Sequence, residues 1–331
     1  MERFALAAAV VLGFALTAAL CSLFVPLRRV LERREQNQQP AQSEQPRPAP
    51  LRAPLWGGLC AAAGTVAAVG VGWLAACVGQ PELLGSEGRL MTRLLTALAG
   101  SLAFGAVGLA EDLARMRSPA ALGLRRDVRL LLEALAAAFV LLLLRAAGCL
   151  PRGLDVPGAG YVLLGSAVPF LWAVLMVALA ECARIAERDE GTVCGAAFVA
   201  MLALMMAEAG LGVPGLAVLP AALAGALVAL GLWAFPPARL GVGCCGSLLA
   251  AGAIGCIPLS LDMTSLTVPL ALPFWAAGGL LAAQLLGAKR TGKPLRCWVK
   301  KHKMSPETVF LCSFALSAVG YVLALALLRW C

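Results

Sequence analysis

Residues 4–26 read FALAAAVVLGFALTAALCSLFVP, with no charged side chain anywhere in the run. Crossing the ~30 Å hydrocarbon core of a bilayer takes about 20 apolar residues as a helix. In lipid the backbone polar groups must be satisfied internally, which leaves helices or closed barrels. A barrel would alternate apolar and polar residues along each strand, and no such alternation is visible here. Comparable runs recur along the 331 residues, at about 3–25, 55–77, 90–110, 128–147, 159–180, 193–209, 214–235, 246–262, 265–287 and 308–329. The expectation is an all-α, polytopic integral membrane protein with about ten transmembrane helices. Composition agrees: 61% of residues are hydrophobic and 14% charged, with a mean hydropathy of +0.86, whereas a soluble domain carries roughly 25% charge.

The formal net charge is +9. An excess of this size could serve a nucleic acid, but membrane topology is a plainer use for it and can be tested by counting. If both termini lie outside, five loops face the cytoplasm, at 26–52, 111–129, 181–192, 236–245 and 288–305. Together they hold 21 of the 27 Lys and Arg. The positive-inside rule then sets the orientation, and no nucleic-acid partner is called for. The first run is too long, and too weakly basic at its front, for a plain signal peptide; Arg28, Arg29, Arg33 and Arg34 follow it like a stop signal. Residues 34–50 are polar and Pro-rich, which reads as a flexible loop rather than a module. The chain 1–331 therefore reads as a single transmembrane domain, with 26–52 a flexible and 288–305 a basic cytoplasmic loop. No repeat of fixed period or inverted symmetry argues for a transporter, and charged residues within mid-membrane positions, which a solute pathway would need, are essentially missing.

Twelve cysteines do not imply disulfides. Cys60, Cys194, Cys256 and Cys312 lie inside apolar runs, where Cys behaves as a small hydrophobe. Cys244 and Cys245 are adjacent and no CxxC pair has metal spacing, so a structural zinc site is not expected.

The remaining polar chemistry gathers in the cytoplasmic loops. Glu111 and Asp112 stand where an apolar run meets water, inside GLAEDLARMR. ECARIAERDEG supplies Glu181, Arg184, Glu187, Arg188, Asp189 and Glu190. PPARLGVGCCGS is Gly-rich and able to bring bare backbone N–H groups close to an anion. GAKRTGKPLRCWVKKHKMSPE is basic and holds His302, the one histidine. Carboxylates for Mg²⁺, a glycine turn and Lys/Arg for phosphate charge together suit a pyrophosphate substrate, since Mg²⁺ usually takes one or two carboxylates plus phosphate oxygens and water. Each feature also has a plainer reading. Glu111 and Arg115 have the i,i+4 spacing of a helix-end ion pair. Glu181, Arg184, Glu187 and Arg188 match a helix face laced with salt bridges. The cations of 288–305 suit topology or anionic lipid, and a lone His302 between lysines is commonly solvated.

Order and local pattern add a resemblance. APLWGG (53–58) looks like a Thr-Pro-Thr-Met-Gly-Gly helix start, and FGAVGLAEDLARMR like Phe-Gly-x-x-Gly-Phe-x-Asp-Asp with its following basic residues. GLRRDVRLLLE is similar to Gly-Leu-Ser-x-Arg-Gln-Lys-Leu-x-x-Gln, GSLLAAGAIG to Gly-Ser-Leu-x-Leu-Gly-Gly, and QLLGAKRTGKPLR to Gln-x-x-x-x-Lys-x-Thr-Gly-Lys-Arg. These five patterns, in this order from about residue 50 to the C-terminus, resemble the phospho-N-acetylmuramoyl-pentapeptide transferases, a branch of the polyprenyl-phosphate sugar-1-phosphate transferases (glycosyltransferase family 4).

The resemblance implies transfer of phospho-MurNAc-pentapeptide from UDP to undecaprenyl phosphate, with lipid I formed, UMP released and Mg²⁺ as cofactor. It implies peptidoglycan biosynthesis at a bacterial inner or plasma membrane, a cytoplasmic active face and, by family analogy, a homodimer. By position, Glu111 and Asp112 stand where the family has paired aspartates, and Arg129 replaces a catalytic-site lysine. Glu187 and Glu190 fall on the aspartates of Asn-x-x-Asn-x-x-Asp-Gly-x-Asp-Gly, with Gly191 as its last glycine. The implied catalytic set is Asp112, Glu111, Glu187 and Glu190. The metal would be held by Glu111, Asp112 and Glu187, and phosphate or nucleotide by Arg129, Lys289, Lys293, His302 and Gly191. The chain also departs from the pattern. Glu181 and Arg184 replace the two asparagines, Arg188 a glycine, and Cys244 a magnesium-binding aspartate; one histidine stands where several are expected. Two expectations follow: a diverged transferase, or a catalytically inactive homologue that binds a polyprenyl-phosphate lipid or a cell-envelope partner.

Overall fold

A computed structural model describes residues 2–38, 56–79, 88–117, 123–151, 153–156, 160–163, 165, 167–187, 191–212, 215–235, 239–286 and 306–330. The chain is a mostly helical membrane protein. Its long helices are α1 (Glu2–Gln38), α2 (Gly57–Gly79), α3 (Gly88–Arg117), α4 (Arg126–Ala146), α5 (Ala167–Ala186), α6 (Thr192–Gly210), α7 (Val218–Ala234) and α8 (Gly243–Ser260). A 3₁₀ turn (Thr264–Leu266) and the short α9 (Thr267–Leu270) lead into α10 (Leu272–Leu286), and α11 (Pro306–Trp330) follows. Among the described residues, 7 helices are long and apolar enough to cross a membrane, while the apolar α7 is shorter.

The centre of the bundle is α8, every residue of which is buried. Its sequence, GCCGSLLAAGAIGCIPLS, is dominated by small side chains. Helices in lipid associate by close packing rather than by hydrophobic exclusion, and small residues let their backbones approach. Helices α2, α3, α5 and α6 all pack against α8. At the flank, α1 lies so tightly on α7 that a Cβ at Gly13 or Gly225 would overlap the carbonyl of Ala222 or Val10.

Element boundaries differ from expectation in four places, each for a local reason. Helix α1 continues through Pro26 to Gln38, where a loop was expected from residue 26; the residues beyond Pro26 include Leu31, Glu32, Arg33 and Arg34, all good helix formers. An antiparallel hairpin pairs β1 (Gly153–Val156) with β2 (Gly160–Leu163), Leu154 facing Val162 and Asp155 facing Tyr161. It replaces the start of the helix expected from residue 159, because Val and Tyr favour extended chain, and α5 begins at Ala167. The run at 265–287 is broken into the 3₁₀ turn, α9 and α10; Pro269 and Pro273 each lack an N–H and crowd the preceding turn. Finally, α3 and α5 run past their expected ends at 110 and 180, to Arg117 and Ala186. Their polar ends are therefore helix rather than loop, and this places the site.

Candidate functional site at the charged end of the bundle

The C-terminal turns of α3 and α5 and the N-terminal turns of α4 and α8 meet at one end of the bundle. The segment leading into α8 is clamped there by the start of α2: the N–H groups of Gly57 and Gly58 donate to the carbonyls of Gly241 and Val242, at 3.2 and 2.9 Å. On the other side α3 presses on it at Gly108, where any Cβ would overlap the Cys244 carbonyl. Gly243 opens α8 with φ 72°, a left-handed conformation that costs glycine little.

Asp112 completes this junction. Its Oδ1 accepts the Cys244 N–H at 3.0 Å and its Oδ2 the Cys245 N–H at 2.9 Å. The first N–H groups of a helix have no intrahelical partner and are usually met by a side-chain oxygen from the preceding N-cap residue. Val242 occupies that position and offers no such oxygen. A carboxylate from another helix does the work, at the positive end of the α8 dipole, and Asp112 is 0% exposed. The Gly-rich fourth loop was expected to offer backbone N–H groups to an anion. It does so, and the anion is Asp112.

Around this junction lies a network of guanidiniums and carboxylates. Arg115 Nη2 donates to Glu111 Oε1 at 2.6 Å, the i,i+4 pair that the spacing allowed. Arg129 reaches glutamates on three helices: Glu181 Oε1 at 2.7 Å, Glu111 Oε1 at 3.6 Å and, on its own helix, Glu133 Oε1 at 4.0 Å. Arg184 Nη2 donates to the second oxygen of Glu181 at 2.5 Å. Glu181 is thus gripped between α4 and α5, one oxygen to each arginine. The side chains of Arg115 and Glu181, at 20% and 23% exposed, form the rim, while Glu111, Asp112 and Glu133 lie beneath. Cys244 is buried among these charges, in electrostatic reach of Arg115, Asp112, Glu111, Glu187 and Arg184. Asp112 also feels the charge of Glu187.

Several expected site residues therefore come together: Glu111, Asp112, Glu187, Arg129 and the Cys244 position. Gly191 takes the left-handed φ of 77° at the N-cap of α6. Glu190, Lys289, Lys293 and His302 lie outside the described residues. Glu133 was missed. It stands four residues after Arg129 in an otherwise apolar run, and that one acidic residue at i,i+4 from a cation was its signal. Glu208, buried in the last turn of α6 with Oε2 lacking a hydrogen-bond partner, is a second buried carboxylate where the apolar pattern suggested none.

The donor set was tested against Mg²⁺, which requires oxygen ligands. Both Asp112 oxygens are engaged by backbone N–H groups, and Glu111 faces Arg115 and Arg129. The Cys244 thiol is a poor partner for a hard cation. Among the described residues no group of three His, Cys, Asp or Glu side chains gathers to hold a metal. These residues do not fit the ion.

Comparison with known proteins places this arrangement. A phospho-N-acetylmuramoyl-pentapeptide-transferase from Synechococcus sp. (strain RCC307) is 30% identical over 212 residues, 63% of this chain and 55% of the relative. The protein of that name from Desulforudis audaxviator is 31% identical over 170 residues, 48% of this chain and 50% of its own length. That from Mycobacterium tuberculosis (strain H37Rv) is 26% identical over 265 residues, 72% of each chain. The matches thus span about half the length of the first two relatives. The model of glycosyl transferase family 4 matches residues 94–262, a stretch holding Glu111, Asp112, Arg115, Arg129, Glu133, Glu181, Arg184, Glu187 and Cys244. With half of its length matched and its charged cluster wholly inside the match, the chain belongs to glycosyl transferase family 4.

Proposed function

We propose that this protein handles two phosphate-bearing substrates at the charged end of its bundle, a polyprenyl phosphate and a UDP-linked sugar phosphate. The observation that carries this reading is the convergence of Arg115, Arg129 and Arg184 from three helices, with Arg129 and Arg184 buried beneath a rim of Arg115 and Glu181. Guanidiniums match phosphate oxygens in a planar, two-pronged geometry, and a lipid phosphate has to be met at the end of a membrane bundle. The names of the relatives point to phospho-MurNAc-pentapeptide as the sugar phosphate, and the sequence resemblance to undecaprenyl phosphate as the acceptor. In the reaction a lipid phosphate oxygen bonds to the sugar-bearing phosphorus, the bond to UMP breaks, and UMP leaves. The arginines would orient both phosphates and neutralise charge on the leaving group. The part of Asp112 in this scheme is to hold the start of α8 beneath the arginines.

The topology belongs to the same reading: ten crossings, both termini outside and the cluster on the cytoplasmic side, supported by the distribution of Lys and Arg over the loops. A homodimer has only family analogy behind it. Binding without transfer is the second reading, favoured by the capping role of Asp112 and by Cys244 at the position of a metal-binding aspartate. Purified protein with undecaprenyl phosphate and UDP-MurNAc-pentapeptide decides between them. UMP release that is lost on Arg129→Gln supports transfer. Binding of undecaprenyl phosphate with no UMP release leaves binding alone, and neither binding nor release ends the proposal.

A further inference from the structure

The misfit between this cluster and a divalent ion carries the next step. Arg184 is buried, with 9% of its surface exposed, and its Nε has no hydrogen-bond partner among the described residues. A guanidinium has five N–H donors. Arg115, Arg129 and Arg184 each donate one hydrogen bond to a glutamate among the described residues. Glu111 and Glu181 hold the three cations side by side against their mutual repulsion, and Arg184 Nε is left over. The residue beside them matters equally. Asp112, 3.9 Å from Arg115, holds the Cys244 N–H, so an aspartate at 244 would compete for these guanidiniums. A neutral thiol does not. A buried donor without a partner among the described residues, in a cluster that reaches water at Arg115, is the mark of a site whose ligand completes it.

We propose that Arg184, with Arg115 and Arg129, forms a clamp that holds the diphosphate of a nucleotide-linked substrate directly, with guanidinium in the place of a divalent cation. This rests on the reading of the cluster as the phosphate site. The two substitutions at 184 and 244 then form one exchange: a carboxylate and its metal are given up, and a fixed cation is brought in. The rim residue Arg115 gives the diphosphate its approach from water, and Arg184 and Arg129 lie deeper. Because Glu111, Glu133 and Glu181 balance the three arginines, recognition comes from directed hydrogen bonds.

Titration calorimetry on the full chain in detergent, with UDP as the probe, tests this in EDTA and again in excess Mg²⁺. UDP is expected to bind in EDTA with an affinity that Mg²⁺ changes by less than about twofold. Arg184→Gln weakens that binding by about tenfold or more, the loss of a charge-assisted hydrogen bond, and Arg184→Lys restores part of it, since the charge returns without the fork. Arg115→Gln, at the rim, gives the same test should Arg184→Gln not fold. Binding that appears only with Mg²⁺, or binding in EDTA that both Gln variants leave unchanged, overturns the clamp and leaves the phosphate-site reading standing. No UDP binding in either condition overturns both.

Discussion

Replacing Asp112 isolates the junction between α3 and α8. In Asp112→Asn one oxygen still accepts a backbone N–H, but the amide nitrogen now faces the other N–H of the Cys244–Cys245 pair. One charge-assisted hydrogen bond is lost, at about 1.5–3 kcal/mol, and so is the carboxylate's attraction to the helix N-terminus, about 0.3–2 kcal/mol. Since Asp112 is 0% exposed, water cannot make good the loss. We expect a destabilisation of about 3 kcal/mol, and more for Asp112→Ala, which strands both N–H groups. Thermal unfolding in detergent should fall by about 5–10 °C, on the scale of 2–4 °C per kcal/mol for chains somewhat shorter than this one. Amide exchange should quicken at residues 244–247 before it does elsewhere in α8. Glu111→Gln provides the comparison: its amide oxygen still accepts from Arg115 and no backbone N–H depends on it, so it should cost less than Asp112→Asn, about 1–2 kcal/mol. If Asp112→Asn melts within a degree of wild type, or no lower than Glu111→Gln, Asp112 does not secure the helix start.

Arg129→Gln removes the cation shared by Glu111, Glu133 and Glu181, and breaking a buried pair by deleting one partner costs about 3–5 kcal/mol; a melting point unchanged from wild type would show those glutamates need no counter-charge. Magnesium and EDTA should give the same melting temperature for the wild-type chain, whereas Cys244→Asp should make melting rise with Mg²⁺ by restoring a hard oxygen donor; a Mg²⁺-dependent shift in the unaltered protein contradicts the donor-set reading. Glu208→Gln keeps the shape of a buried side chain and removes the cost of taking an ionisable group out of water, so stability should rise by roughly 1 kcal/mol; a lower melting point would reveal a partner that needs the carboxyl of Glu208.

The positions of the long helices were legible because an apolar run of membrane length leaves few alternatives. Their ends were less so. Hydropathy marks where lipid stops, not where a helix stops, and α3 and α5 continue beyond it on local pairs such as Glu111–Arg115 and Glu181–Arg184. Those pairs were visible as i,i+4 and i,i+3 spacings. The contacts that build the site were not. Arg129 meets Glu181 across 52 residues, and Asp112 meets Cys244 across 132. No periodicity says which helix ends will touch. Of the acidic pair, Glu111 makes the ion pair that its spacing allowed, while Asp112 caps a distant helix, which neither reading foresaw.

The burial of α8 also bears on how the protein is made. The helices that enclose it, α2, α3, α5 and α6, all precede it in the chain, and during synthesis the N-terminal part emerges first. The last piece of the centre therefore arrives after its walls, and enters a slot already shaped by them. Until then the carboxylate of Asp112 stands at the mouth of that slot with no backbone amides to receive it. A nascent chain halted before residue 243 would carry an uncapped acid at its middle, a chemical sign that the protein is unfinished.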